Sequence, residues 1–270
     1  MARGGLSDNQ RQSQVGAGYR AARNDHLTSG RVSKTTSSRE GTTRKPRSTT
    51  TPYTPAEFSY SETQYFSKTD AWNAGCLIPG TKKVVFGYDF GIKDHLDAIV
   101  AAGPAYCHSL RQFKCGYSDT GNGGSLTDVS ISQLAAACPN LTHISLAASI
   151  RLTDSSLLAL VTKCPDLQYV EISGNDKVSG NIKGPALEQI REDASLGKKL
   201  QKLRLTDQCL SAQRFSKMLK SLSVKRKKLE IVVGDVRERG FGVNTWLGGK
   251  KKSGYQAFGG PGGFGHYGGF

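Results

Sequence analysis

Apolar residues recur along the middle of the chain in one short phrase: a leucine, two spacers, an apolar residue, one spacer and a further apolar residue. It occurs as Leu110, Phe113, Cys115; Leu141, Ile144, Leu146; Leu167, Val170, Ile172; and Leu200, Leu203, Leu205, with a degenerate copy starting at Leu229 and Val232. The spacing of two at the end of each phrase predicts a short strand whose last two apolar residues face one way and whose intervening residues face the other. Downstream, apolar residues fall at helical spacing, as Ile131 and Leu134 or Leu157 and Leu160. Thr127/Asp128 and Thr153/Asp154 precede these runs and are expected to cap the helix starts with their side-chain oxygens. Pro139 and Pro165 follow, where a residue without an N–H ends a helix. The predicted unit is strand, loop, helix.

Two of these units are nearly the same text. CPNLTHISL at 138–146 returns as CPDLQYVEI at 164–172, and the preceding segments, LTDVSISQLAAAC and LTDSSLLALVTKC, match at the same offset of 26. Repetition at such a period predicts units that cannot bury their own flanks and so stack on one another, sharing a continuous core.

With those residues in place, the chain resembles the cysteine-containing class of leucine-rich repeats, the ribonuclease-inhibitor-like type. The pattern CPxLxxLxLxxN followed by LTDxxLxxLxxxCP is matched from Leu126 to Asn175, with Asn175 at the loop asparagine position and Ser149 in its place one repeat earlier. The resemblance covers about residues 83–236. It implies an α/β leucine-rich-repeat solenoid, with short parallel strands on the concave face and helices on the convex face. It also implies a non-catalytic scaffold that binds a protein or peptide partner. The class includes F-box receptors of the ubiquitin pathway and fungal antagonist-of-mitotic-exit proteins. Neither residues 1–56 nor 57–82 resemble an F-box, so a ubiquitin-dependent or cell-cycle adaptor is one alternative, beside an RNA/DNA-associated protein using its basic and Gly/aromatic tails, rather than the main expectation.

A partner on the concave face would meet the outward strand residues. One row reads Gln112, His143, Tyr169, Lys202 and Ile231, and the next Lys114, Ser145, Glu171, Arg204 and Val233. Tyr169, flanked by His143 and Lys202, has the aromatic and cationic character of an interface anchor.

Composition changes the picture mainly at the ends. The 270 residues carry a net charge of +15, most of it outside the repeats. Residues 1–56 form a basic Ser/Thr-rich arm with few large aliphatics, expected to be disordered. Residues 57–82 regain aromatics and are expected to cap the first repeat. Residues 237–270 are rich in Gly, aromatics and Lys and are likewise expected to lack structure. The basic runs Arg44–Arg47, Lys225–Lys228 and Lys250–Lys252 suit RNA or DNA contact through the tails, or nuclear import. Thr51-Pro52 and Thr54-Pro55 are candidate sites for a proline-directed kinase.

The six cysteines form no CxxC pair and read as reduced core thiols. No nucleotide-binding, hydrolase or zinc-protease motif stands in a fitting context, and neither a cofactor nor a metal is expected. The chain shows no secretory signal and no membrane-spanning run, so an intracellular protein, cytoplasmic or nuclear, is expected.

Overall fold

A computed structural model describes residues 53–66, 74–87, 92–115, 122–175, 178–208, 212–238 and 240–257. The expectations for residues 1–52 and 258–270 lie outside these.

Among the described residues the chain is mixed α/β, built on one nine-stranded sheet whose strands follow chain order. The strands are β1 (Thr63–Phe66), β2 (Lys83–Phe86), β3 (Gln112–Cys115), β4 (His143–Leu146), β5 (Tyr169–Ser173), β6 (Lys202–Thr206), β7 (Glu230–Glu238), β8 (Gly240–Leu247) and β9 (Lys250–Ala257). From β1 to β7 every neighbouring pair is parallel, whereas β7–β8 and β8–β9 are antiparallel. Helices α1 (Ile92–Ala101), α2 (Pro104–Cys107), α3 (Asp128–Ala137), α4 (Asp154–Lys163), α5 (Pro185–Glu192) and α6 (Ala212–Lys225) connect the parallel strands.

The second and fourth residues of each short strand carry the core. Phe113, Cys115, Ile144, Leu146, Val170, Ile172, Leu203 and Leu205 are fully buried, together with Ile131, Leu134, Leu157 and Leu160 from the helices. These residues belong to one continuous cluster, and each fully buried aliphatic contributes about 1.5–3 kcal/mol. Cys107, Cys115, Cys138 and Cys164 are buried inside it as thiols outside any disulfide. Burial pushes the Cys164 thiol up to about 12, so it is protonated and inert near neutral pH.

At the first edge, Gln64 on β1 accepts from the hydroxyls of Thr81 and Tyr106, each at 2.9 Å. This buried amide fixes the end of the sheet alongside the Phe66 ring, which stacks on Phe86 at 5.6 Å.

Three expectations are corrected. First, Thr127 and Thr153 do cap their own helices, accepting from Ser130 N at 3.3 Å and Ser155 N at 3.2 Å, but the aspartates beside them serve the next unit. Asp128 accepts from Thr153 N at 2.9 Å, from Thr153 Oγ1 at 2.6 Å and from the Ser156 hydroxyl. Asp154 accepts from the backbone N–H groups of Lys183, Gly184 and Ala186 at 2.8–3.0 Å. Once the threonine occupies the cap of its own helix, the neighbouring helix start is the remaining source of unpaired donors.

Second, the last parallel strand, β7, is offset by one residue. Leu203 pairs with Ile231 and Arg204 with Val232. Ile231 is fully buried and Val233 packs against the core, so neither belongs to the outward rows. Only one residue separates Leu229 from Ile231, where two separate Leu200 from Leu203, and a shift of one exchanges the faces of a strand. Glu230 and Val232 hold the outward positions.

Third, the glycine-rich C-terminal stretch is not wholly without structure. Gly240–Leu247 and Lys250–Ala257 form a hairpin that extends the sheet. Its two-residue turn, Gly248-Gly249, takes φ of 55° and 79°, the left-handed region that favours glycine and suits the twist of a tight hairpin. Trp246 pairs with Ile231 and is buried to 6% exposure, which fastens the hairpin to the core.

Candidate functional site

Strand register brings the outward side chains into rows. Gln112, His143, Tyr169 and Lys202 are consecutive partners across β3 to β6, as are Lys114, Ser145, Glu171 and Arg204. All eight predicted residues therefore share the sheet face turned away from the core helices. The face is not an open row of solvated side chains: Gln112, His143, Ser145 and Tyr169 are each at most 4% exposed.

The cover comes from the chain itself. Residues 53–58, divided by sequence between the arm and the cap, cross this face from β5 toward β2. The Tyr53 ring stacks on Tyr169 at 5.6 Å and on His143 at 6.3 Å between centroids. The His143 and Tyr169 rings stack on each other at 4.1 Å with planes 4° apart. Gln112 Nε2 donates to the Ala56 carbonyl at 2.7 Å. Phe58 lies near the Lys82 ammonium, 5.9 Å from ring centroid to Nζ. Beside the segment, at the start of the strands, is a cleft of about 320 Å³ lined by Tyr53, Ala56, Phe58, Lys82, Arg111, Thr142 and Gln168.

Polar groups on the face are cross-linked around Glu171. Its carboxylate accepts from Ser145 Oγ at 2.8 Å and from the Tyr169 hydroxyl at 3.1 Å, and pairs with Arg204 at 3.1 Å. Lys202 pairs with Glu230 at 3.5 Å, the residue that takes the place expected for Ile231.

Burial dominates the electrostatics. It holds the His143 imidazole down at about 3, with the Lys114 and Lys83 charges acting in the same direction, so the ring is neutral near pH 7. Burial also raises the Tyr53 phenol to about 12 and the Tyr169 phenol further, the Glu171 carboxylate adding to the latter. A neutral imidazole beside two un-ionised phenols makes an aromatic stacking surface.

Sequence reasoning found the face but not its cover. Tyr53 stands in TPYTPAEF, among prolines that disfavour helix and keep a segment extended, and that was the available signal. Gln208 was also missed: its amide donates to the Ile172 and Thr206 carbonyls and accepts from Ile182 N, at 3.0–3.1 Å. The loop asparagine, Asn175, instead takes the Val178 N–H of its own turn at 2.5 Å.

Among the described residues no cluster of three or more His, Cys, Asp or Glu could hold a metal, and no helix is long and apolar enough to cross a membrane. Comparison with protein-family models and with curated proteins finds no match, so the chemistry of this face has to be taken from its own residues.

Proposed function

We propose that this chain is a short leucine-rich-repeat solenoid acting as a non-catalytic protein-interaction module, and that the sheet face carrying Tyr169 binds an extended segment bearing an aromatic side chain. The strict chain order of the parallel strands and the unit-to-unit bonds of Asp128 and Asp154 support the repeat reading. The observation that carries the functional reading is the seating of residues 53–58. One aromatic ring completes a three-ring stack with His143 and Tyr169, and three residues later a backbone carbonyl takes the Gln112 amide. That is how a peptide is read: a ring in a desolvated place supplies affinity, and a main-chain hydrogen bond fixes its position. The protein's own segment marks where the partner goes and must leave before it enters.

Buried free thiols suit a reducing compartment, and we place the protein inside the cell, in the cytoplasm or nucleus.

A labelled peptide of residues 49–60, titrated against full chains, tests this reading. A chain carrying Tyr53→Ala, whose own segment is weakened, should bind the peptide at least tenfold more tightly than the parent. Adding Tyr169→Ala and Arg204→Ala should abolish the gain. Equal, weak binding to all three chains would count against the face.

A further inference from the structure

Two lysine runs separated in the sequence by β7 and β8 meet at one corner of the folded body. Lys225 ends α6, and Lys227 and Lys228 follow in the loop to β7; Lys250, Lys251 and Lys252 open β9. The β8–β9 turn joins them. Gly249 N donates to Ser223 Oγ at 3.0 Å, and its Cα lies so close to Val224 that a Cβ there would sit 2.5 Å from a Val224 methyl. The turn is thus seated on the last full turn of α6, and β9 leaves it directly into the second lysine run.

All six lysines are exposed, and none joins the ion pairs among the described residues. The acids nearby are engaged. Glu230 pairs with Lys202, and the Asp193 carboxylate accepts from Ser195 N and Oγ. Arg226, in the middle of the first run, turns inward instead. Its guanidinium donates to the carbonyls of Ile190, Asp193 and Leu196 at 2.6–3.3 Å, tying α6 to the end of α5. The run therefore divides into one inward structural arginine and three outward lysines.

Ordinary structural roles account for part of this arrangement. A cation at a helix C-terminus is favoured by the dipole, and lysines blunt an exposed sheet edge. The first covers Lys225 and the second covers the β9 lysines. Neither explains why the turn draws the two groups together, since crowded like charges repel and destabilise the compact state. A ligand that neutralises them removes that cost.

We propose that this corner binds the phosphodiester backbone of a nucleic acid, without regard to base sequence. Ammonium groups on long stems are compact, adaptable point charges suited to phosphates spaced along a strand. Trp246 is buried beneath the Lys251 ammonium 5.8 Å away and offers no stacking platform. Contact is accordingly with backbone rather than bases. The inference is independent of the peptide-binding face.

The test is fluorescence anisotropy of the full chain with a 20-base-pair DNA duplex and, separately, a 20-nucleotide RNA, from 50 to 200 mM salt. For about four phosphates neutralised, affinity should fall roughly a hundredfold across that range. The triples Lys225→Glu, Lys227→Glu, Lys228→Glu and Lys250→Glu, Lys251→Glu, Lys252→Glu should each weaken binding by tenfold or more and flatten the salt dependence. Glutamine versions serve if the glutamate chains melt at lower temperature. The DNA and RNA arms decide which backbone is preferred. Unchanged affinity in either triple overturns the proposal, as does loss confined to a chain with Arg44→Glu, Lys45→Glu and Arg47→Glu. Equal binding to polyglutamate or to phosphatidylserine vesicles overturns it as well.

Discussion

The imidazole of His143 and the phenol of Tyr169 lie face to face, 4.1 Å apart and within 4° of parallel, on adjacent strands at matching positions. The repeat sets this relationship: residues 26 apart become direct neighbours across a parallel ladder. Tyr53 adds the third ring and removes the pair from water.

Desolvation of that stack makes the fold sensitive to acid. The folded His143 value, about 3, lies below the ordinary value of 6.5. Between these values the unfolded chain binds the proton and the folded chain does not, so the contribution is complete above about pH 6.5 and declines as pH falls toward 3. The decline is at most about 1.4 kcal/mol per pH unit. Urea unfolding at pH 7.5, 6 and 5 should show it, and His143→Phe should flatten the dependence. Parallel slopes for the two chains would assign the acid sensitivity elsewhere.

Removing the cover ring should loosen the cover and spare the sheet. Tyr53→Ala is expected to cost about 1 kcal/mol, the scale of an aromatic pair, with Tyr53→Phe close to the parent. Limited proteolysis should cut the alanine chain faster between residues 53 and 62 while the repeats remain protected. Equal cleavage of both chains would mean that the stack does not hold the segment.

The aspartate bridge between units should matter more than a surface carboxylate. Asp154→Ala leaves three backbone N–H groups at the start of α5 without their acceptor and is expected to cost about 2 kcal/mol or more. Asp154→Asn, which keeps an acceptor oxygen, should cost less. For Asp128, burial alone would raise the carboxyl, but hydrogen bonds from Ser156 and Thr153 outweigh it and keep it below the usual range. Thermal melts of the two Asp154 variants check the ranking.

The C-terminal hairpin should be fastened by one side chain. Trp246→Ala removes a buried indole packed on the last parallel strand and should weaken the seating of the hairpin by about 3–5 kcal/mol. Hydrogen exchange of the β8 and β9 amides should then rise toward that of a free chain, with β3 to β5 unchanged. Slow exchange in β8 after the substitution would refute the anchoring role.

The repeat was legible because it is local and periodic. Ile144, Leu146, Val170 and Ile172 announce inward positions by spacing alone, and the rows from Gln112 to Lys202 and from Lys114 to Arg204 follow from that periodicity. The signal failed where an element departs from the period. One residue fewer before Ile231 turned β7 over, and Gly248-Gly249, a hairpin turn between alternating residues, was hidden within a low-complexity composition.

By itself, the sequence determined the unit and its order, since hydrophobic periodicity dictates which face of each strand and helix must leave water. Tertiary structure alone decided that Tyr53 covers His143 and Tyr169, that Asp154 serves the neighbouring unit, and that the Lys225 and Lys250 runs share a corner. Those are contacts between segments distant along the chain. Their side chains carry no periodic signature, and only the stacking of the units fixes which of them come within reach of one another.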